Sequence, residues 1–337
     1  MPRLLYLLLF VSFLSCKKNS GSSSDTSPVT PAATTVKPSG VFSASGSTAA
    51  TVLNNNNNRG VLIRAYWKDI ETSEGNFNFT ALDNQVNAIK AKNKKYSLGV
   101  LAGGIGSPAW LITQKNAPYF DYTFQGQPYK LPLIWSDTVL TYLGKLADKL
   151  AEHYNNDTSL VLVYIPQMTA NGIEGHLNGF NQTNFTNAGY TETKWINASV
   201  QNAKKFATAF SKKALAFEVH DLFNSSTPAS SIINSLWNDN TLGQRVGAAM
   251  WWISGGTTYQ PNIITLLKNF PGDIYCQVID RSDNTTSFPG GDYTKVFAQA
   301  KEIRARYIEA WDYEFSINTW NSQFADFTTY ADTLKKY

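Results

Sequence analysis

The sequence predicts a single (β/α)8 barrel behind a short leader and tether. Three observations carry that expectation. Eight strand-like segments recur between Ser39 and Tyr337, and most are followed by a helical pattern. The most sharply drawn of them, Leu160 to Ile165, is apolar and uncharged throughout, as strands covered on both faces are. No glycine-rich strand-to-helix phosphate loop appears, which disfavours a doubly wound sheet, and 337 residues suit one large barrel.

In chain order the expected strands are Gly40–Ala44, Gly60–Trp67, Tyr96–Ala102, Leu160–Gln167, Ala214–His220, Val246–Ile253, Ile274–Asp280 and Arg306–Trp311. The first is short and Ser-rich. Between them, Phe79–Lys92 places Leu82, Val86 and Ile89 on one helical face, and Asp137–Tyr154 does the same with Leu140, Leu143, Leu146 and Leu150. Trp195–Lys213, Ser230–Trp237, Pro261–Phe270, Tyr293–Ala305 and Phe324–Tyr337 complete the helices, with Pro261 placed as a first-turn proline.

The N-terminus reads as a targeting signal. Arg3 precedes an apolar core from Leu4 to Leu14, which has the length of a secretory leader and is too short for an ordinary membrane span. Leu14-Ser15-Cys16 resembles a bacterial lipobox, so residues 1–15 are expected to be a signal peptide and Cys16 to be lipidated, anchoring the chain at the cell envelope. Residues 16–38, rich in Ser, Thr, Pro, Ala and Lys, are expected to form a flexible tether, leaving 39–337 for the barrel. Cys276, in an apolar run, is expected to be a buried thiol.

Composition narrows the function classes. Only 16% of residues are charged and 13% are aromatic, a balance that suits uncharged ligands, and a formal charge of +4 is too small to argue for nucleic acid. Three histidines and one interior cysteine provide no spaced metal motif, and neither metal nor cofactor is expected. No feature points to an oligomer.

The second strand and the segment after it carry Arg64, Trp67, Glu71, Glu74, Gly75, Phe77, Phe79, Leu82 and Asp83, and the third strand leads into Pro108-Ala109-Trp110. Over Gly60 to Leu111 this resembles the β-galactosidase-type barrels of the large retaining glycoside hydrolase clan. The resemblance implies a hydrolase of O-glycosidic bonds, with an acid/base after the fourth strand and a nucleophile after the seventh. Such chemistry needs two carboxylates, about 5 to 5.5 Å apart in retaining enzymes.

Glu174 follows the fourth strand and is the expected proton donor, with the solvated loop acid as the alternative. The clan's Asn-Glu at that strand end is replaced here by Pro166-Gln167, with Glu174 seven residues beyond Gln167. His176 is placed to pair with Glu174 and tune it. For the second carboxylate, Glu309 lies inside the apolar eighth strand, where an unpaired acid is expensive. Asp280, at the end of the seventh strand, is the positional alternative, while Glu309 becomes the seventh-strand acid if Gly40–Ala44 is not a strand.

Substrate-binding roles are expected for several other residues. Trp67 and Trp110 either stack on sugar or pack in the core, and Trp251 and Trp311 lie near strand ends on the same argument. Arg64 needs a carboxylate or carbonyl partner and is expected to hold a catalytic acid. Glu218 and His220 share one face of the fifth strand, either lining the site or forming an ion pair within the barrel. Glu71 and Glu74 are expected to shape their loop. Two functions fit these residues: a glycosidase for a neutral oligo- or polysaccharide, or a carbohydrate-binding surface lipoprotein without catalysis.

Overall fold

All eight expected strands form. In a computed structural model describing residues 35–334 they close into one parallel barrel. They are β1 (Gly40–Ser43), β2 (Gly60–Tyr66), β3 (Lys95–Leu101), β4 (Leu160–Tyr164), β5 (Ala214–Glu218), β6 (Val246–Ile253), β7 (Ile274–Val278) and β8 (Tyr307–Ala310). Neighbours follow chain order around the ring. The short β1 completes it, with Phe42 opposite Glu309 on β8 and Ser43 beside Val61 on β2. The leader, Cys16 and the tether up to residue 34 lie outside the described residues.

The outer layer holds the expected helices: α1 (Thr80–Lys90), α2 (Asp137–Tyr154), α3 (Glu192–Ala209), α4 (Thr227–Trp237), α5 (Pro261–Asn269), α6 (Tyr293–Glu302) and α7 (Asn321–Thr333). Their buried faces are those the periodicity indicates, including Leu82, Val86 and Ile89 on α1. α3 starts three residues earlier than expected because the Thr191 side chain accepts from the Lys194 N–H and caps it. None of the described helices is long and apolar enough to cross a membrane.

The barrel interior is filled by inward residues of unequal size. Alanines on β5 and β6 (Ala214, Ala216, Ala249) share the interior with aromatics from around the ring, among them Phe42, Tyr164, Trp251, Tyr275 and Tyr307. Gly60 makes room for Phe42, since a Cβ there would come within 2.4 Å of the Phe42 ring. At the barrel floor Lys37 and Arg306 both pair with Asp273, at 2.5 Å each. Residues before 39 therefore belong to the barrel domain: Lys37 is a buried part of the fold, and buried charges of this kind must be paired.

Candidate active site

The segment after β4 folds back over the barrel mouth. Gly172 is the hinge of that path. Its φ of +90° suits glycine, and a Cβ there would lie 2.3 Å from the Ala102 carbonyl. The close approach is fixed by the Ala102 N–H donating to the Gly172 carbonyl at 3.1 Å. Ile173 is thereby carried into the interior apolar cluster and Glu174 is set at the mouth. Gln167, where the resembled clan has its acid, is buried and donates to the Ile173 and Glu218 carbonyls at 2.9 and 2.8 Å. It pins the loop to β5.

Two carboxylate–imidazole pairs meet here. The Glu174 side chain is 24% exposed, and its Oε2 lies 3.3 Å from His176 Nε2. The Asn171 amide donates to the same carboxylate oxygen. Behind it, Glu218 contacts His220 Nδ1 at 2.9 Å and accepts N–H bonds from Gly175 and Trp251. The His176 and His220 rings pack edge to face, 5.4 Å apart. Glu218 and His220 thus form the internal pair that was one of the two expected readings, and both are almost fully buried.

The electrostatics separate these acids. Burial acts to raise the Glu174 carboxyl, but the hydrogen bond and charge of His176, then the charge of His220 and the Asn171 amide, bring it below its ordinary range. Glu218 is raised, chiefly by burial and with help from the Glu174 charge, although His220 opposes both. Burial acts to lower His220, but the neighbouring Glu218 and Glu174 carboxylates raise it overall. Asp221, next along the chain, is raised by burial against the opposing charge of His220.

Glu309 is not part of this cluster. It has 0% exposure, so it meets no substrate in this structure. Its Oε1 accepts from Tyr307, Tyr164 and Ser97 at 2.5, 2.9 and 3.2 Å, and its Oε2 from Gln277 Nε2 at 2.8 Å. Burial pushes its pKa up to about 7 against those donors. The expectation of a nucleophile at Glu309 is corrected on this ground: its burial is offset by hydrogen bonds from three other strands and its own.

The tryptophans divide. Trp67 is 0% exposed, and Trp110 packs against it edge to face at 6.1 Å. Trp67 Nε1 donates to Glu71 Oε2 at 2.6 Å, and Trp110 Nε1 to the Glu71 carbonyl at 3.1 Å. Both occupy the layer behind the barrel, which corrects their expected placement at the mouth. The reason is local: short helices begin at each, turning the indoles outward from the strand line. Glu71 and Glu74 shape that loop as expected, Glu71 accepting the Gly75 N–H and Glu74 the Tyr142 hydroxyl. Trp251 is buried inside the barrel against Tyr164 at 4.9 Å. Trp311 is partly exposed, and the Arg64 guanidinium lies 5.8 Å from its ring centroid. Asp280 is partly exposed past β7 and is held by the Arg281 N–H and the Asn284 amide.

A cleft of about 540 Å³ opens over β4, β5 and β6 beside the two pairs. His176 and His220 line it together with Phe180, Phe223, Tyr259 and the polar Asn178, Asp221 and Gln260. Tyr259 is 50% exposed. Apart from the two histidines, none of these was among the expected binding residues. Their signal in the sequence was slight: single aromatics within Asn/Gly/Thr-rich loops beyond strand ends. Among the described residues no group of three or more His, Cys, Asp or Glu side chains is arranged to hold a metal ion. Cys276 is fully buried, with its thiol raised by burial, as expected of a core cysteine.

A family model described as beta-galactosidase matches residues 61–211, from β2 to just beyond α3. Among solved structures, the catalytic domain of a beta-amylase from Paenibacillus polymyxa is similar at a TM-score of 0.57 and 9% identity, covering 87% of this chain and 100% of that one. A beta-galactosidase from the psychrophilic Marinomonas ef1 is similar at 0.53 and 10%, covering 80% of this chain and 53% of that chain, so this chain spans about half of that protein. At such identities the likeness is one of fold. No curated protein matches the sequence. The chain is a glycoside-hydrolase-like barrel.

Proposed function

We propose that the chain is a glycosidase that cleaves O-glycosidic bonds of an oligo- or polysaccharide at the mouth beyond β4, β5 and β6, with Glu174 as one reacting carboxylate. The observation that carries this reading is the Glu174–His176 contact beside a cleft walled by Phe180, Phe223 and Tyr259. Aromatic faces with a few convergent polar groups suit a saccharide. The family match over residues 61–211 supports the same chemistry.

The electrostatics favour a division of labour. Glu174, held below its ordinary range, is the ionised partner that attacks carbon or draws a proton from water. The expected role of proton donor needs a raised carboxyl, and Asp221, raised and lining the cleft, fits it better. Asp221 Oδ1 has no hydrogen-bond partner among the described residues, so no protein donor stabilises its charge there.

Turnover of a panel of aryl glycosides and oligosaccharides by Glu174→Gln and Asp221→Asn tests the assignment. Each variant is expected to lose about 10²- to 10⁴-fold in kcat. Wild-type turnover in both overturns it. The binding-only alternative draws on Gln167, which stands buried where the resembled clan keeps its acid. Glycan affinity with no product released over long incubation by the wild-type chain would select that alternative. We also read Cys16 as the lipidation point that holds the barrel at the cell envelope. Cys16→Ser is then expected to move the protein from the membrane to the soluble fraction.

A further inference from the structure

Arg64 is not hydrogen-bonded to the acid that lies near it. A guanidinium in a barrel strand needs acceptors, and the nearby acid is Glu309. Yet the hydrogen bonds to Glu309 come from Tyr307, Tyr164, Ser97 and Gln277. The Arg64 side chain makes no hydrogen bond or ion pair to any described residue, although its backbone pairs with Gly99 in the barrel ladder. Its contact is the Trp311 ring, 5.8 Å from the guanidinium carbon. The side chain is partly exposed and lines a second cleft at the mouth, about 560 Å³, with Tyr66, Asp69, Asn78, Gln85 and Leu101. Lys68 sits over the Tyr66 ring at the same rim, at 5.1 Å. Asp69 is the acid lining this cleft, and it forms no ion pair with Arg64 within 4 Å. The guanidinium therefore offers planar, fork-shaped donors to whatever enters.

We infer that Arg64 is a specificity determinant that binds an oxyanion substituent on the sugar, a uronate carboxylate or a sulfate ester, while Trp311 and Tyr66 supply flat surfaces beside it. This replaces the neutral glycan suggested by the low charge content, and it rests on the glycosidase reading. The bidentate geometry of a guanidinium matches a carboxylate or a sulfate, and its charge favours either over a hydroxyl.

Calorimetric titration of the full chain with three matched sets of oligosaccharides tests this: neutral, uronate-bearing and sulfated. At least one anionic set is expected to bind about tenfold or more tightly than the neutral set. That preference should weaken with added salt and vanish in Arg64→Met. Arg64→Lys, which keeps the charge and loses the fork, should retain part of it. The comparison between uronate and sulfate identifies which oxyanion is read. Circular dichroism of each variant shows whether its fold is kept, and the wild-type preference itself remains a test if a variant does not fold. Equal affinity for neutral and anionic sets, or a preference that survives in folded Arg64→Met, overturns the inference and leaves the glycosidase reading standing. Absence of binding to all three sets counts against both.

Discussion

The Tyr164 hydroxyl on β4 donates to Glu309 Oε1 on β8 at 2.9 Å, joining strands that stand opposite one another in the ring. With Tyr307, Ser97 and Gln277 it encloses a carboxylate that has no exposed surface. That network ties β3, β4, β7 and β8 together at mid-barrel, and it makes the chain's stability depend on pH.

Glu309 is raised to about 7 in the folded protein against an ordinary value of 4.5. Below the ordinary value the group is protonated in both folded and unfolded chains and adds no penalty. As pH rises from there to about 7, the unfolded chain gives up its proton first, so folding stability falls; above that range the penalty is complete. Its size is on the order of 3 kcal/mol. Glu309→Gln removes the titration, and the Gln277 amide can turn to match it. Melting temperatures of the two proteins between pH 5 and 8 should converge or cross, with wild type losing ground as pH rises. Parallel curves would show that Glu309 does not titrate in this window.

His176 holds Glu174 ionised, so its loss should be visible in the pH profile of turnover. Burial already pushes the Glu174 carboxyl up; without the imidazole that push is less opposed. In His176→Gln the acidic limb of kcat/KM is expected to move to higher pH, while activity on the plateau falls less than in Glu174→Gln. An acidic limb that stays in place would mean that His176 does not tune this carboxylate.

The barrel was legible in the sequence because its strands are apolar runs and its helices carry apolar residues at helical spacing, and both signals are local. The site was legible only in part. Glu174 stood out as an acid beyond a buried strand, but its return path over the mouth depends on Gly172 meeting Ala102, a contact between the loop after β4 and the end of β3. Glu309 stood out for a sound reason, the cost of burying an acid, yet the offsetting donors come largely from strands remote in sequence. Trp67 was misplaced because the strand pattern was carried one residue too far, past the point where a helical turn begins.

That turn gives Trp67 a structural role separable from ligand binding. Its indole N–H donates to buried Glu71 at 2.6 Å, and its ring has no exposed face. Trp67→Phe keeps most of the apolar volume but leaves Glu71 one donor short, at a cost of about 1 to 3 kcal/mol. The expected result is a lower melting temperature with saccharide affinity unchanged in the folded variant. A loss of affinity with unchanged melting would return Trp67 to the mouth.

Gly172→Ala tests the return path itself. At a φ of +90° an alanine is strained wherever it sits, and here its Cβ would also meet the Ala102 carbonyl at 2.3 Å. The loop must shift by an ångström or so, breaking the Ala102–Gly172 and Gln167–Gly172 backbone bonds. The barrel ladder does not run through that loop, although Ile173 packs inside the barrel, so the cost to overall stability is expected to be on the order of 1 to 3 kcal/mol. Glu174 comes two residues later and moves with the loop. A displacement of that size at a reacting group lowers the rate about 10²-fold. The expected result is therefore a fold retained by circular dichroism, a melting temperature a few degrees lower, and turnover reduced far more than binding. Full activity in a folded Gly172→Ala protein would show that the reacting carboxylate does not lie on this loop, and would move the chemistry to the acids after β7 and β8.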